Sequence, residues 1–118
     1  MSDEIKKIGV YKLLGNHWCS VPSDAHKLHD ILADAIWAGQ TVDMSFADIT
    51  ILPSSFLNIA IGQLYGEFSA DEIKRRIVVS EMKPEDMATL KLVVENAKAY
   101  FAFKNAKAYL SKRYATTH

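Results

Sequence analysis

The apolar positions change period several times along the chain, and each change marks a predicted element. Between Ile5 and Leu14, Ile8 and Val10 share one face at period two among lysines, which predicts a strand. Lys6, Lys7 and Lys12 suit an edge position, because edge lysines discourage pairing with another chain. Gly15-Asn16 predicts a turn. His17 to Val21 reads as a second short strand or a loop, closed by Pro22. Leu28, Ile31, Leu32, Ala35 and Ile36 then recur at helical spacing, with Ser23 placed to cap the start and Asp24 near the positive pole. Gly39 supplies the left-handed residue after the end, so a helix is predicted over 24–38.

Thr41 to Phe46 is the next predicted strand. Ala47-Asp48 is expected to form a turn or a bulge, and Ile49 to Leu52 to run extended until Pro53 stops strand pairing. Ser54 or Ser55 is expected to cap a helix whose apolar residues, Phe56, Leu57, Ile59, Ala60, Ile61, Leu64 and Tyr65, cover most of its circumference. Such a helix is buried. Gly62 inside it implies close approach to a neighbouring backbone, and Gly66 ends it. Ser69 with Glu72 forms a capping box for a short helix through Arg76. Ile77-Val78-Val79 reads as a buried strand, and Pro84 with Glu85 and Asp86 opens a last helix.

In that last helix Met87, Leu90, Val94, Ala97 and Phe101 form one stripe, which fails at Lys104 and Asn105. A second set, Phe103, Ala106, Leu110 and Tyr114, lies on the other side. Unbroken to Arg113, the helix would be roughly 45 Å long, against about 26–30 Å for a domain of this size. It therefore either breaks near Lys104, or overhangs and packs on another subunit as a homodimer. The order of elements predicts a single α/β domain over 1–118, with a mixed sheet of about four strands, helices mainly on one face and a helical extension from 104.

Composition narrows the function. The chain has 118 residues, 49% hydrophobic and 24% charged, enough for a core without staples. Fourteen basic and fourteen acidic residues cancel, which removes a global electrostatic case for nucleic acid or an anionic membrane. One cysteine cannot form an internal disulfide, and the N-terminal charges do not suit a secretion signal, so a cytoplasmic location is expected. Lys98, Lys104, Lys107, Lys112 and Arg113, without an acid among them, read as the solvated end of a helix whose negative pole they suit rather than as a phosphate-binding strip. Glycine-rich phosphate loops and nucleophile elbows are absent from the sequence.

Two stretches carry candidate chemistry. Pro53-Ser54-Ser55-Phe56 places two hydroxyls where extended chain enters a helix, a place suited to an anion, a phosphoryl group or a partner's charged loop. Asp43 is a candidate to orient that site or hold a cation, against a plain reading as a strand-end aspartate bonded to loop backbone, and Asp48 is a turn residue. His17, Cys19, His26 and His29 are possible zinc ligands within thirteen residues, though their spacing fits no standard finger. That set supports an alternative reading as a small metal-binding protein or enzyme.

With Val42-Asp43-Met44, then Ser54-Ser55-Phe56-Leu57 and Gly62-Gln63-Leu64, the chain resembles the bacterial STAS-like domain family of unknown function, best over 39–94. That family is similar to the anti-sigma-factor antagonists, in which a histidine-kinase-type ATPase phosphorylates the second serine of an Asp-Ser-Ser-Gly motif. The resemblance implies a non-catalytic regulatory module without a cofactor. It implies an ATPase or similar regulator as partner, and Ser55 as the phospho-acceptor. Pro53 stands where the motif has aspartate and Phe56 where it has glycine, so a bulky ring is expected to obstruct a kinase loop. The competing reading leaves Ser54 and Ser55 as helix caps alone.

Overall fold

A computed structural model describes residues 5–115, with side chains to Lys107. Strand β1 (Ile5–Gly9) leads into a one-turn helix α1 (Val10–Leu14), and α2 (Pro22–Trp37) precedes β2 (Thr41–Ser45). Helix α3 (Ser54–Ala60), a 3-10 turn (Gly62–Gly66) and α4 (Ala70–Arg76) then lead to β3 (Ile77–Ser80) and the long α5 (Pro84–Ala115).

The sheet corrects the expected topology. Its order is β1-β2-β3 and both pairings are parallel, with Ile8 opposite Met44 and Met44 opposite Val79. Three strands, not about four, and no antiparallel pair occur among the described residues. Residues 17–21, read as a short strand or a loop, contribute only the isolated bridge from Trp18 to Ile51. The first strand stops at Gly9 because Val10 to Leu14 coil instead, closed by Gly15 at φ +80°. Lys12 therefore lies on a helix, while Lys6 and Lys7 remain on the edge strand.

The parallel order β1-β2-β3 needs two crossovers in the same direction, and the general right-handedness of such crossovers places their helices on one face of the sheet. Val42 and Met44 on that face are fully buried, whereas Thr41, Asp43 and Ser45 on the other are half-exposed. Lys7, Asp43 and Val78 share a register row on that open face. The expected buried strand β3 is instead an edge, with Val78 exposed. Its β-branched run reflects the pleated surface it fits rather than enclosure.

The helix ends show which local signals act. Pro22 begins α2 at its first position, and the cap is Val21 rather than Ser23. Proline has no N–H to satisfy there, so a side-chain cap is dispensable. Gly39 at φ +73° closes the helix as expected, and Arg76 Nη1 donates to its carbonyl at 2.7 Å. Half of the capping box forms: Glu72 N–H donates to Ser69 Oγ at 3.1 Å, but the Glu72 carboxylate turns to Arg75 and Arg76 rather than back to the Ser69 N–H. Ser69→Ala is expected to cost about 1 kcal/mol in a urea titration, with the transition remaining two-state.

Helix α3 ends at Ala60, and Gly62 begins a tighter turn. A β-carbon on Gly62 would meet side chains of α5, Val93 at 3.6 Å and Ala97 at 3.7 Å, rather than a neighbouring backbone. Helix α5 does not break near Lys104; it runs through 32 residues, about 48 Å at the usual rise. Leu90, Val93 and Ala97 bury its inner face, but every residue from Ala102 to Lys107 is exposed. The helix projects from the domain there, with Ala102 and Asn105 bordering an open cleft against Tyr65 to Ala70, and the molecule measures 57 × 35 × 24 Å. No described helix is long and apolar enough to cross a membrane.

Candidate functional site

The two connections that follow β1 and β2 come together beyond the carboxyl ends of those strands. Thr50 N–H donates to the His17 carbonyl at 2.8 Å, and Cys19 N–H donates to the Ile51 carbonyl at 2.9 Å. This short zipper sets Pro22 and Pro53, where α2 and α3 begin, on one rim. Between the helix starts lies a cleft of about 50 Å³, lined by Ser20, Val21, Pro22, Ser55, Phe56 and Ile59. In parallel sheets the rim at the carboxyl strand ends is the usual place for binding.

Pro53 sits at φ −74° and ψ 156°, and α3 starts at the next residue. The Pro53 carbonyl accepts from Phe56 and Leu57 N–H at 3.1 and 3.3 Å, so the first turn is held by backbone. Neither serine caps it: both side chains are exposed, and neither hydroxyl makes a hydrogen bond among the described residues. The capping role expected of them is therefore not used. Phe56 points inward and is buried with Leu57 and Ala60. Its ring does not obstruct the turn, because the first inward position of the helix falls on it, and it forms part of the cleft wall.

Sequence reasoning missed the apolar part of this rim. Trp18 and Ile51, bridge partners, are 56% and 50% exposed, and Val21 is exposed beside the cleft. Trp18 N–H donates to Asn16 Oδ1 at 2.7 Å, an Asx turn that fixes where the indole leaves the backbone. Solvent-facing tryptophan is the usable signal in hindsight, because large aromatic side chains dominate contact surfaces. Its pairing with Ile51 spans thirty-three positions of chain, which no local pattern encodes.

The remaining candidates separate. Asp43 is central in β2 on the open face, where Ser80 Oγ donates to its Oδ1 at 2.7 Å. It is bonded across the sheet and not to loop backbone, and it lies apart from the serines. Ser45 Oγ likewise donates to Glu81 Oε1 at 2.8 Å. Asp48 occupies the turn at φ +66°, and its carbonyl accepts from His17 Nδ1 at 2.7 Å.

The proposed ligand set does not assemble. The His17 ring stacks on Tyr11, with centroids 4.3 Å apart, and Cys19 is fully enclosed. His26 is exposed, and the ring nitrogens of His29 face Glu67 at 3.0 Å and Asp30 at 3.1 Å. No three His, Cys, Asp or Glu among the described residues converge to hold a metal. Helical and extended spacing carry the four side chains in different directions.

Burial, reinforced by Asp24 and then Asp86, raises the Cys19 thiol from the usual 9.0 to about 11. The native thiol is expected to resist maleimide at pH 8 and to react once the chain is unfolded in urea. The unfolded thiol ionises first as pH rises, so this group costs the fold stability progressively between about 9.0 and 11.

The sequence pattern defining the STAS-like domain family of unknown function matches residues 24–87, more than half of the chain. The chain belongs to this family. The match to the STAS-like domain begins at α2 and ends in the first turn of α5, so it takes in the serine turn, α3 and two of the three strands. It starts earlier and stops sooner than the 39–94 read from the motifs, and the overhanging part of α5 lies outside it. No curated protein and no solved structure matches significantly.

Proposed function

We propose that this STAS-like domain is a non-catalytic interaction module. It docks a regulatory protein through the rim where α2 and α3 begin. The observation carrying this reading is the pair of exposed, uncommitted hydroxyls on Ser54 and Ser55 beside exposed Trp18, Val21 and Ile51. A polar turn flanked by an exposed tryptophan has the composition of a contact surface. A histidine-kinase-type ATPase, or a regulator that binds in its manner, is the partner class this reading favours. Ser55 is the acceptor if the complex is switched by phosphate. Phosphate on Ser55 would add about −1.5 to −2 charge to a surface that binds by apolar contact and hydrogen bonds. The buried Phe56 leaves the approach open. The metal reading is set aside because its ligands diverge.

Immobilised wild type, Ser55→Asp and Trp18→Ala should be compared for the proteins each retains from the native host. Both variants are expected to lose a partner that wild type holds, Trp18→Ala by tenfold or more. Equal recovery on all three surfaces rules the docking rim out.

A further inference from the structure

The outer face of α5 has a pattern of its own. Leu92, Asn96, Ala99, Phe103 and Ala106 follow one another at spacings of four, three, four and three, and all five are exposed. The same rhythm continues in the sequence to Leu110. A four-three alternation of this kind is the seam of a coiled coil, with Asn96 as the polar residue that fixes register. The stripe begins at Leu92, well before Phe103, where the sequence pattern alone places it. It lies on the side of the helix away from Leu90, Val93 and Ala97, which bind the helix to its own domain. Leu92 is 60% and Phe103 69% exposed.

We infer that this face pairs with the same face of a second copy of this chain, the two α5 helices running antiparallel. Three observations select that occupant. First, charge is divided along the helix: Pro84 to Ala97 carries three acids and one base, whereas residues 98–115 carry five bases and no acid. Antiparallel packing opposes the two helix dipoles and, centred at position 101, brings Lys107 of each copy level with Glu95 of the other and only Lys98 level with another base, Lys104, whereas parallel packing sets the five bases of each copy side by side.

Second, the side-chain sizes interlock about one centre. Antiparallel pairing centred at position 101 sets Phe103 of each copy against Ala99 of the other, Asn96 against Ala106, and Leu92 at the level of position 110. Phe103 and Asn96 each meet an alanine, which lets the helices approach closely at those two levels. Third, the overhang fits the vacancy. From Ala102 onward the helix projects from its own domain, with Ala102 and Asn105 only bordering an open cleft beside Tyr65 to Ala70, and in this register it lies along the outer face of the partner's first half. Each copy's domain sits on the opposite side of its helix, clear of the seam. This inference uses a different surface from the docking rim and does not depend on it.

The full chain should be examined by sedimentation and by light scattering at micromolar concentration. The expected mass is twice 13.2 kDa. Phe103→Glu and Leu92→Glu should each return the mass to one copy while far-ultraviolet dichroism and thermal unfolding of the domain stay near wild type. Direction is read by disulfide capture, with the enclosed Cys19 left in place. A mixture of Asn96→Cys and Ala106→Cys chains should cross-link, and neither variant should cross-link alone. Self-cross-linking of Asn96→Cys means a parallel seam and overturns the arrangement. A monomer at every concentration, or a dimer indifferent to both charge substitutions, overturns the pairing and assigns the face to a partner of different sequence.

Discussion

Leu57→Ala is expected to destabilise the domain by about 3–4 kcal/mol, a large share of the roughly 5–15 kcal/mol that holds an ordinary domain folded. Leu57 is fully buried, two residues after Ser55, and α3 packs its Phe56, Leu57 and Ala60 face into the core. Truncation removes transfer free energy and leaves a cavity, because α2 and α5 flank the site and the surrounding helices cannot close it fully. The informative comparison is with Ser55→Ala two positions away. Its hydroxyl has no partner among the described residues, so the expected change is within about 0.5 kcal/mol. Urea titrations of both variants would separate a serine kept for binding from one kept for folding. A loss of 1 kcal/mol or more in Ser55→Ala would make it a structural cap and remove the basis of the docking rim.

Gly66→Ala is expected to be the costliest small change, about 1–3 kcal/mol from overpacking. A β-carbon there would fall 2.7 Å from Cζ and 2.9 Å from Cδ1 of Phe101, with Cε1 nearer still. The ring would have to swing off the turn, and with it goes the packing of Phe101 on Gly66. Thermal unfolding of Gly66→Ala in wild-type and Phe101→Ala backgrounds checks this. Phe101→Ala alone should destabilise, but adding Gly66→Ala to it should cost little. Coupling of at least 1 kcal/mol between the two sites is the expected signature. Additive losses would mean that the glycine is kept for backbone freedom rather than for the ring above it.

Much of the architecture was legible because local chemistry decided it. Gly15 and Gly39 mark chain reversals that need positive φ, Ser69 with Glu72 announces α4, and Pro84 announces α5. Caps were read less well at Ser23 and at Ser54 and Ser55, because each helix begins earlier than its serines suggest: Pro22 is already the first residue of α2, and Pro53 is itself the cap residue of α3. Strand direction was not legible. Ile5 to Gly9 and Thr41 to Ser45 look the same in sequence whether paired parallel or antiparallel, and only the crossover between them decides. The serine turn was found because hydroxyls beside a proline form a local pattern. Trp18 with Ile51 escaped because their adjacency exists only after folding. The seam on α5 was half seen: with Asn96 and two alanines in it, its early part is too weakly apolar to stand out until exposure shows which way each residue faces.

The parallel order of the strands also constrains how the chain reaches this state. Ile5 must find Thr41, and Val42 must find Ile77, so each pairing closes a loop of some thirty-five residues with no hairpin to start from. Closing such a loop costs roughly 3 kcal/mol in chain entropy before a constant is added, and that cost is recovered only when the intervening helices have docked. The helices must therefore gather first, and the strands zip late. Folding should be slow for so short a chain, and a ribosome will have released β2 to join β1 well before β3 exists.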